Sequence, residues 1–166
     1  FVRLSEAEWE VVNTPEFDRL RDIRQLAMGH LVYPGANHTR FEHSLGAVHL
    51  STLLFDTLLD QDRTILESEF GLTSSAQERA RQVLRLAAML HDIGHAPYSH
   101  SGEHLMPISE GDSKQISHEE MSARIIREST IGELIEKEFG PQGISAEEVI
   151  GIATDFRFAR NFNPQP

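Results

Sequence analysis

The chain has 166 residues, enough for one compact domain that buries roughly 70% of the surface its unfolded form exposes. Its 39% hydrophobic and 25% charged residues exclude a fibrous or disordered protein, and the absence of cysteine excludes disulfides, leaves nitrogen and oxygen as the donors for any metal, and fits a cytoplasmic location. A formal charge of -11 argues against a general nucleic-acid surface, and the longest strongly apolar run, Val83 to Leu90, is broken by Arg85 and falls far short of the ~20 residues a membrane span needs.

Helix starts dominate the local signals. Ser or Thr followed three residues later by Glu, the capping box, recurs at Ser5 with Glu8, Thr39 with Glu42, Ser75 with Glu78, Ser117 with Glu120 and Ser145 with Glu148. Thr14-Pro15 adds a further start, with Pro at the first helical position where its missing N–H costs nothing. Read onward from these caps, apolar spacing predicts helices over 6–13, 15–26, 40–60, 76–90, 118–129, 131–139 and 146–153. The expected architecture is therefore an all-α helical bundle in a single domain over 1–166. Arg19, Arg21 and Arg24 alternate with Glu16, Asp18 and Asp22, the pattern of a solvated, salt-bridged helix face. His30-Leu31-Val32-Tyr33, closed by Pro34-Gly35, is β-like but too short to make a sheet alone. Gly102 to Ile116, rich in Gly, Ser and Pro, reads as a loop or broken helix beside the chemistry. The chain opens on Phe1 with no signal-like segment and closes on Asn163-Pro164-Gln165-Pro166, which reads as mid-loop, so a piece of a longer polypeptide is expected.

Nine histidines are a high count, and five fall between His91 and His118. The apolar helix ending at Met89-Leu90 runs directly into His91-Asp92-Ile93-Gly94-His95. A carboxylate there costs several kcal/mol to desolvate unless something pairs it. A divalent cation would do so, and imidazole with carboxylate suits Mn, Fe, Ni, Zn or Mg. A structural His-Asp pair at a helix end is the simpler alternative, and the dipeptide by itself leaves both open. Arg40 precedes His43 by three residues, so on a helix the two share a face, where a guanidinium suits bidentate contact with phosphate; an ordinary surface salt bridge is the alternative.

Arg40-Phe41-Glu42-His43-Ser44-Leu45-Gly46 followed by His91-Asp92-Ile93-Gly94-His95-Ala96-Pro97-Tyr98-Ser99-His100 resembles the HD-domain phosphohydrolases, and more narrowly their deoxynucleoside triphosphate triphosphohydrolase branch. The similarity begins at Thr14-Pro15-Glu16-Phe17-Asp18-Arg19-Leu20-Arg21, passes through Gln25-Leu26 and Tyr33-Pro34-Gly35-Ala36, and reappears at Ser117-His118-Glu119. The resemblance implies one divalent metal ion held by His43, His91 and Asp92. It also implies a phosphate pocket lined by His95, His100 and His118 with Glu103 and Glu119 orienting imidazoles, phosphate contact by Arg40, and sugar contact by Gln25 and Leu26. The family's fourth ligand, a later aspartate, has no matching motif; Asp155 is the nearest acidic residue and reads as a surface residue, so the ligand is expected to lie beyond Pro166 or to be absent. Asp18 and Asn13 depart from the pattern of nucleotide-activated members. His30, His38, His49 and His104 match no motif position.

The function expected is hydrolysis of nucleotides, a deoxynucleoside triphosphate giving deoxynucleoside and triphosphate, by a homo-oligomer without membrane or nucleic-acid partners. A nucleoside monophosphatase or cyclic-nucleotide phosphodiesterase is the enzymatic alternative. A regulatory module that binds nucleotide or nucleic acid without turnover is the alternative of another kind.

Overall fold

A computed structural model describes residues 1–108 and 114–154. The described residues form α-helices and short helical turns with two isolated β-bridges and no sheet. Helices α1 (Glu6–Val12), α2 (Pro15–Asp18), α3 (Arg40–Phe70), α4 (Ser74–Leu90), α5 (His118–Glu128), α6 (Thr130–Leu134) and α7 (Ala146–Thr154) follow in chain order. The capping boxes at Ser5, Thr39 and Ser117 close as expected, each hydroxyl accepting the backbone N–H of the Glu three residues on, whose carboxylate accepts from the cap N–H.

The antiparallel hairpin of α3 and α4 is the scaffold. Phe41 and Val48 on α3 meet Val83, Leu86, Met89 and Leu90 on α4 in the main apolar core, which Val11, Phe17, Ile126, Ile131, Ile135, Phe139 and Val149 complete from the flanking elements. Burying such side chains contributes about 1.5–3 kcal/mol each. A buried ion pair joins the first helix to this hairpin: Arg85 donates through Nε to Glu8 Oε1 at 2.7 Å and through Nη2 to Oε2 at 2.8 Å. The same arginine donates to Thr52 Oγ1 on α3.

Several elements depart from the local signals. The helix expected over 15–26 gives way after Asp18 to a 3-10 turn, Arg19–Asp22, and then to extended chain at Ile23. Tertiary pairing takes its backbone groups: Arg40 N–H donates to Ile23 O at 2.8 Å, Gln25 N–H to His38 O at 3.1 Å, and Arg24 bridges Thr39. The expected helix over 40–60 runs on to Phe70, kinked at Asp62, until Gly71 adopts the left-handed conformation (φ 64°) that ends it. Helix α4 is capped at Thr73 rather than Ser75, because Leu72 packs with Ala76 and Ala80 and Gln77 Nε2 donates to Leu72 O at 2.7 Å. Ser145 accepts from Glu148 N–H, but the Glu148 carboxylate pairs with Arg79 instead of closing a box. The β-like stretch forms no strand: His30 and Leu31 end a 3-10 turn, Ala27–Leu31, and Leu31, Val32 and Tyr33 are exposed. The C-terminal half of the segment expected as 131–139 is a π-helical turn, Ile135–Phe139, that keeps Ile135 and Phe139 buried. No helix among the described residues is long and apolar enough to cross a membrane.

Candidate functional site

His43 lies in the first turn of α3, and His91 and Asp92 follow the last turn of α4, so the hairpin brings together residues 48 positions apart. The Nε2 atoms of His43 and His91 face each other at 3.2 Å, with Asp92 Oδ2 at 3.5 Å from His43 Nε2 and Oδ1 at 3.4 Å from His91 Nε2. One ligating atom from each of the three lies within 4.8 Å of the others. These separations match the ligand-to-ligand spacing of roughly 3.0–3.4 Å set by metal–ligand bonds near 2.1 Å. His91 Nδ1 donates to Ala88 O at 2.9 Å, which turns the Nε2 lone pair toward the other two donors. Burial pushes His43 below its ordinary pKa despite the opposing pull of Asp92, keeping a neutral imidazole at neutral pH. The donor set therefore fits a divalent cation.

Asp92 is the hinge of the site. Burial by itself would raise its pKa, but the hydrogen bond from His95 and the charges of His91 and Arg40 outweigh this and hold it well below the usual carboxylate range. Arg40, whose alternative to phosphate contact was a surface salt bridge, makes no surface pair: the structure buries it, with Nη1 donating to Asp92 Oδ2 and Nη2 to Ser99 Oγ at 2.5 Å. The physical reason is that a buried carboxylate needs a counter-charge, and Arg40 reaches it from the adjoining helix start.

A second group adjoins the first. His95 Nε2 lies 3.4 Å from Asp92 Oδ1, and the His95 ring stacks on His118 with centroids 4.0 Å apart. His100 packs edge-on to both, at 5.1 Å from His95 and 5.0 Å from His118. Glu103 Oε1 accepts from His118 Nδ1 at 2.7 Å and from His100 Nδ1 at 2.9 Å. Burial of Glu103 is outweighed by these two hydrogen bonds, and its pKa falls. Glu119, largely exposed, lies 3.4 Å from His118 Nε2. Burial also lowers the pKa of His95.

The remaining candidates are placed less centrally. Gln25 and Leu26 sit on the segment bridged to the start of α3; Gln25 Oε1 is buried without a partner, Leu26 is exposed, and neither hydrogen-bonds to these histidines. Asp155 lies outside the described residues. His30, His38, His49 and His104 belong to neither group.

Three supporting residues escaped sequence reasoning. Arg19, expected on a solvated face, turns inward and donates to Ile93 O and to His95 O at 3.0 Å, clamping the turn that carries both groups. Arg21, by contrast, does form the exposed pair with Asp18. Ser122, fully buried on α5, accepts from Gly94 N–H at 2.9 Å and donates to His91 O at 3.1 Å. Ser99 receives Arg40. The position of Gly94 between His-Asp and His95 was the one available signal: a Cβ there would lie 2.2 Å from His118 O.

Fold and site together define an all-α domain with a two-histidine, one-aspartate cluster, of a composition that could hold a cation, at a helix hairpin. The model of the HD domain family matches residues 40–157, and the chain belongs to that family of metal-dependent phosphohydrolases. It is 35% identical over 117 residues to the deoxynucleoside triphosphate triphosphohydrolase SAMHD1 homologue of Dictyostelium discoideum, covering 70% of this chain and 21% of that protein. It is 41% identical over 92 residues to human deoxynucleoside triphosphate triphosphohydrolase SAMHD1, covering 54% of this chain and 13% of the relative. A crystal structure of a hypothetical protein from Aquifex aeolicus superposes with a TM-score of 0.65 at 32% identity, covering 92% of this chain and 33% of the other. The chain thus spans a third or less of these proteins' lengths.

Proposed function

We propose that this chain, as one HD domain over 1–166, hydrolyses nucleotides, with a deoxynucleoside triphosphate giving deoxynucleoside and triphosphate. The observation that carries the reading is the adjacency of the two groups: Asp92 touches the cation-site histidines on one side and His95 on the other. The substrate class is supported by the activity in the names of the relatives.

His43, His91 and Asp92 would hold the divalent cation, which supplies Lewis acidity toward a phosphoryl oxygen and makes water a stronger acid. Ser122 and Arg19 fix the His91–His95 turn, and Arg40 holds Asp92 ionised and adds positive charge where an anionic phosphate docks. In this reading Glu103 sets the tautomer of His100 and His118, leaving their Nε2 atoms for the substrate. His118 or His95 passes a proton to the leaving oxygen as water adds to phosphorus and the P–O bond breaks. Gln25 and Leu26 would border the sugar, and Glu119 would restrain His118. Exposed Leu50, Leu53, Leu54 and Leu58 on α3 support a homo-oligomer.

The test uses the full-length protein with Mn²⁺ or Mg²⁺ and a panel of deoxynucleoside triphosphates, monophosphates and cyclic nucleotides, with products separated by ion-exchange chromatography. Equimolar deoxynucleoside and inorganic triphosphate is the expected result. Release of orthophosphate or of a monophosphate assigns the alternative hydrolases, and nucleotide binding by a metal-loaded protein without turnover assigns the regulatory module.

A further inference from the structure

We propose that His95, His100, Glu103 and His118 form a second, zinc-selective cation site whose occupation shuts down the hydrolytic site beside it. One donor atom from each of these four residues lies within 4.8 Å of the others, and the set shares no residue with His43, His91 and Asp92. Three imidazoles and one carboxylate are the donors zinc takes in tetrahedral sites, whereas magnesium prefers oxygen and near-octahedral geometry. The first group, with fewer nitrogens and the larger share of oxygen, discriminates less. The two sites therefore differ in the metal they select.

Two features mark a built site. His95 is 2% exposed and its Nδ1 is buried without any hydrogen-bond partner, although Nε2 faces Asp92. An orphaned lone pair or N–H in such a position costs about 1–3 kcal/mol, and a cation would satisfy it. The local backbone is also costly: Tyr98 and Ser99 are consecutive non-glycine residues with φ of 71° and 57°, in the turn that leads into His100 and Glu103. Gly102 completes the turn, since a Cβ there would lie 2.2 Å from Pro97 O.

The adjustment required is a ring rotation as well as a change of distance: the His95 and His118 rings stack 16° from parallel with centroids 4.0 Å apart, and His118 turns so that one cation lies in both ring planes. In a tetrahedral site with bonds near 2.1 Å the ligands stand roughly 3.4 Å apart. Glu103 Oε1 stands 2.7 Å from His118 Nδ1 and 2.9 Å from His100 Nδ1, so those contacts open by about 0.5–0.7 Å and lose their shared protons. His100, with a side chain 70% exposed, is free to make that movement. Zinc bound there occupies imidazole lone pairs and cancels the Glu103 charge, so His95 and His118 no longer exchange protons with a substrate. That consequence rests on the proposed hydrolase; the binding itself does not.

The test titrates metal-free full-length protein with Zn²⁺, counted by native mass spectrometry, and with Co²⁺, whose intense visible absorption reports tetrahedral coordination. Two zinc ions per chain are expected. His100→Ala and Glu103→Gln should each lose the tetrahedral cobalt band and weaken the second zinc about tenfold or more, with thermal melts confirming a folded protein. His43→Ala should keep the band. One zinc per chain, a band that survives both His100→Ala and Glu103→Gln, or a band lost in His43→Ala overturns the site. If the second zinc binds but Mn²⁺-supported hydrolysis continues undiminished, the shutdown is overturned while the hydrolase stands. If no substrate is hydrolysed at all, the hydrolase fails and the cobalt and zinc counts still decide the site.

Discussion

Gly94→Ala is the most informative single substitution, because Gly94 lies in the turn between Asp92 and His95 and packs directly against the backbone of His118. A Cβ at this position would lie 2.2 Å from His118 O, 2.3 Å from Ser122 N and 2.7 Å from Ser122 Oγ. Carbon contacts are comfortable at about 3.5 Å, so the turn and the start of α5 must separate by more than about 1 Å. The two nearest atoms belong to the α5 backbone, and no side-chain rotation relieves them. The same movement breaks the Gly94 N–H to Ser122 Oγ bond. Overpacking of about 1–3 kcal/mol and a lost buried hydrogen bond of about 1 kcal/mol add to about 2–4 kcal/mol. For a chain of this size that lowers Tm by roughly 4–16 °C. The displacement also moves His118 relative to His95 and Asp92, and a 1 Å misplacement costs up to about a hundredfold in rate. Gly46→Ala is the matched control: it lies within α3, nothing is within 4 Å of its Cβ position, and it should stabilise by about 0.5–1 kcal/mol. Circular-dichroism melts, metal content and turnover measured on both variants decide the matter. A Gly94→Ala protein with wild-type Tm and turnover would refute the close-approach argument.

Glu8→Gln should cost about 3 kcal/mol in denaturant titrations, since it leaves Arg85 buried without its counter-charge. Burial would raise the Glu8 pKa, but the hydrogen bonds from Arg85, Ser5 and Gln82 win and lower it. Its stabilisation is therefore fully present above the unfolded carboxylate value near about 4.3 and fades as pH falls below it; an acid limb unchanged in Glu8→Gln would contradict this. Arg40→Ala should lower the Tm of metal-free protein and enlarge the rise in Tm that added Mn²⁺ produces, because the cation then carries a larger share of the charge compensation for Asp92; equal rises in mutant and wild type would count against the ion pair. His118→Ala should keep the first metal and lose about 10²–10⁴ in kcat, and wild-type turnover on every nucleotide tested would return His118 to a structural role.

The helical class, most of the helix starts and the His43/His91-Asp92 motif are legible in the sequence because each is written over a few consecutive residues. Ser5, Thr39 and Ser117 meet their Glu partners three positions on, within a single turn, and the box closes locally even at Glu8, whose carboxylate also accepts from Arg85. What tertiary structure decided lies where a backbone or charged group is satisfied far along the chain. Ile23 leaves the helix because its carbonyl accepts from Arg40 N–H, and Arg19 turns inward because the Ile93 and His95 carbonyls need a donor. Arg40 sits beside Asp92 and not toward solvent, and Arg85 beside Glu8, because a buried charge takes the nearest opposite charge that packing brings within reach. Glu103 pairs with His100 in its own turn, as spacing alone would allow, but its contact with His118 exists only because Ser122 and Gly94 draw α5 against the His91–His95 turn. Local patterns set which residues begin a helix; the need to satisfy buried polar groups across the fold set which side chains share the site.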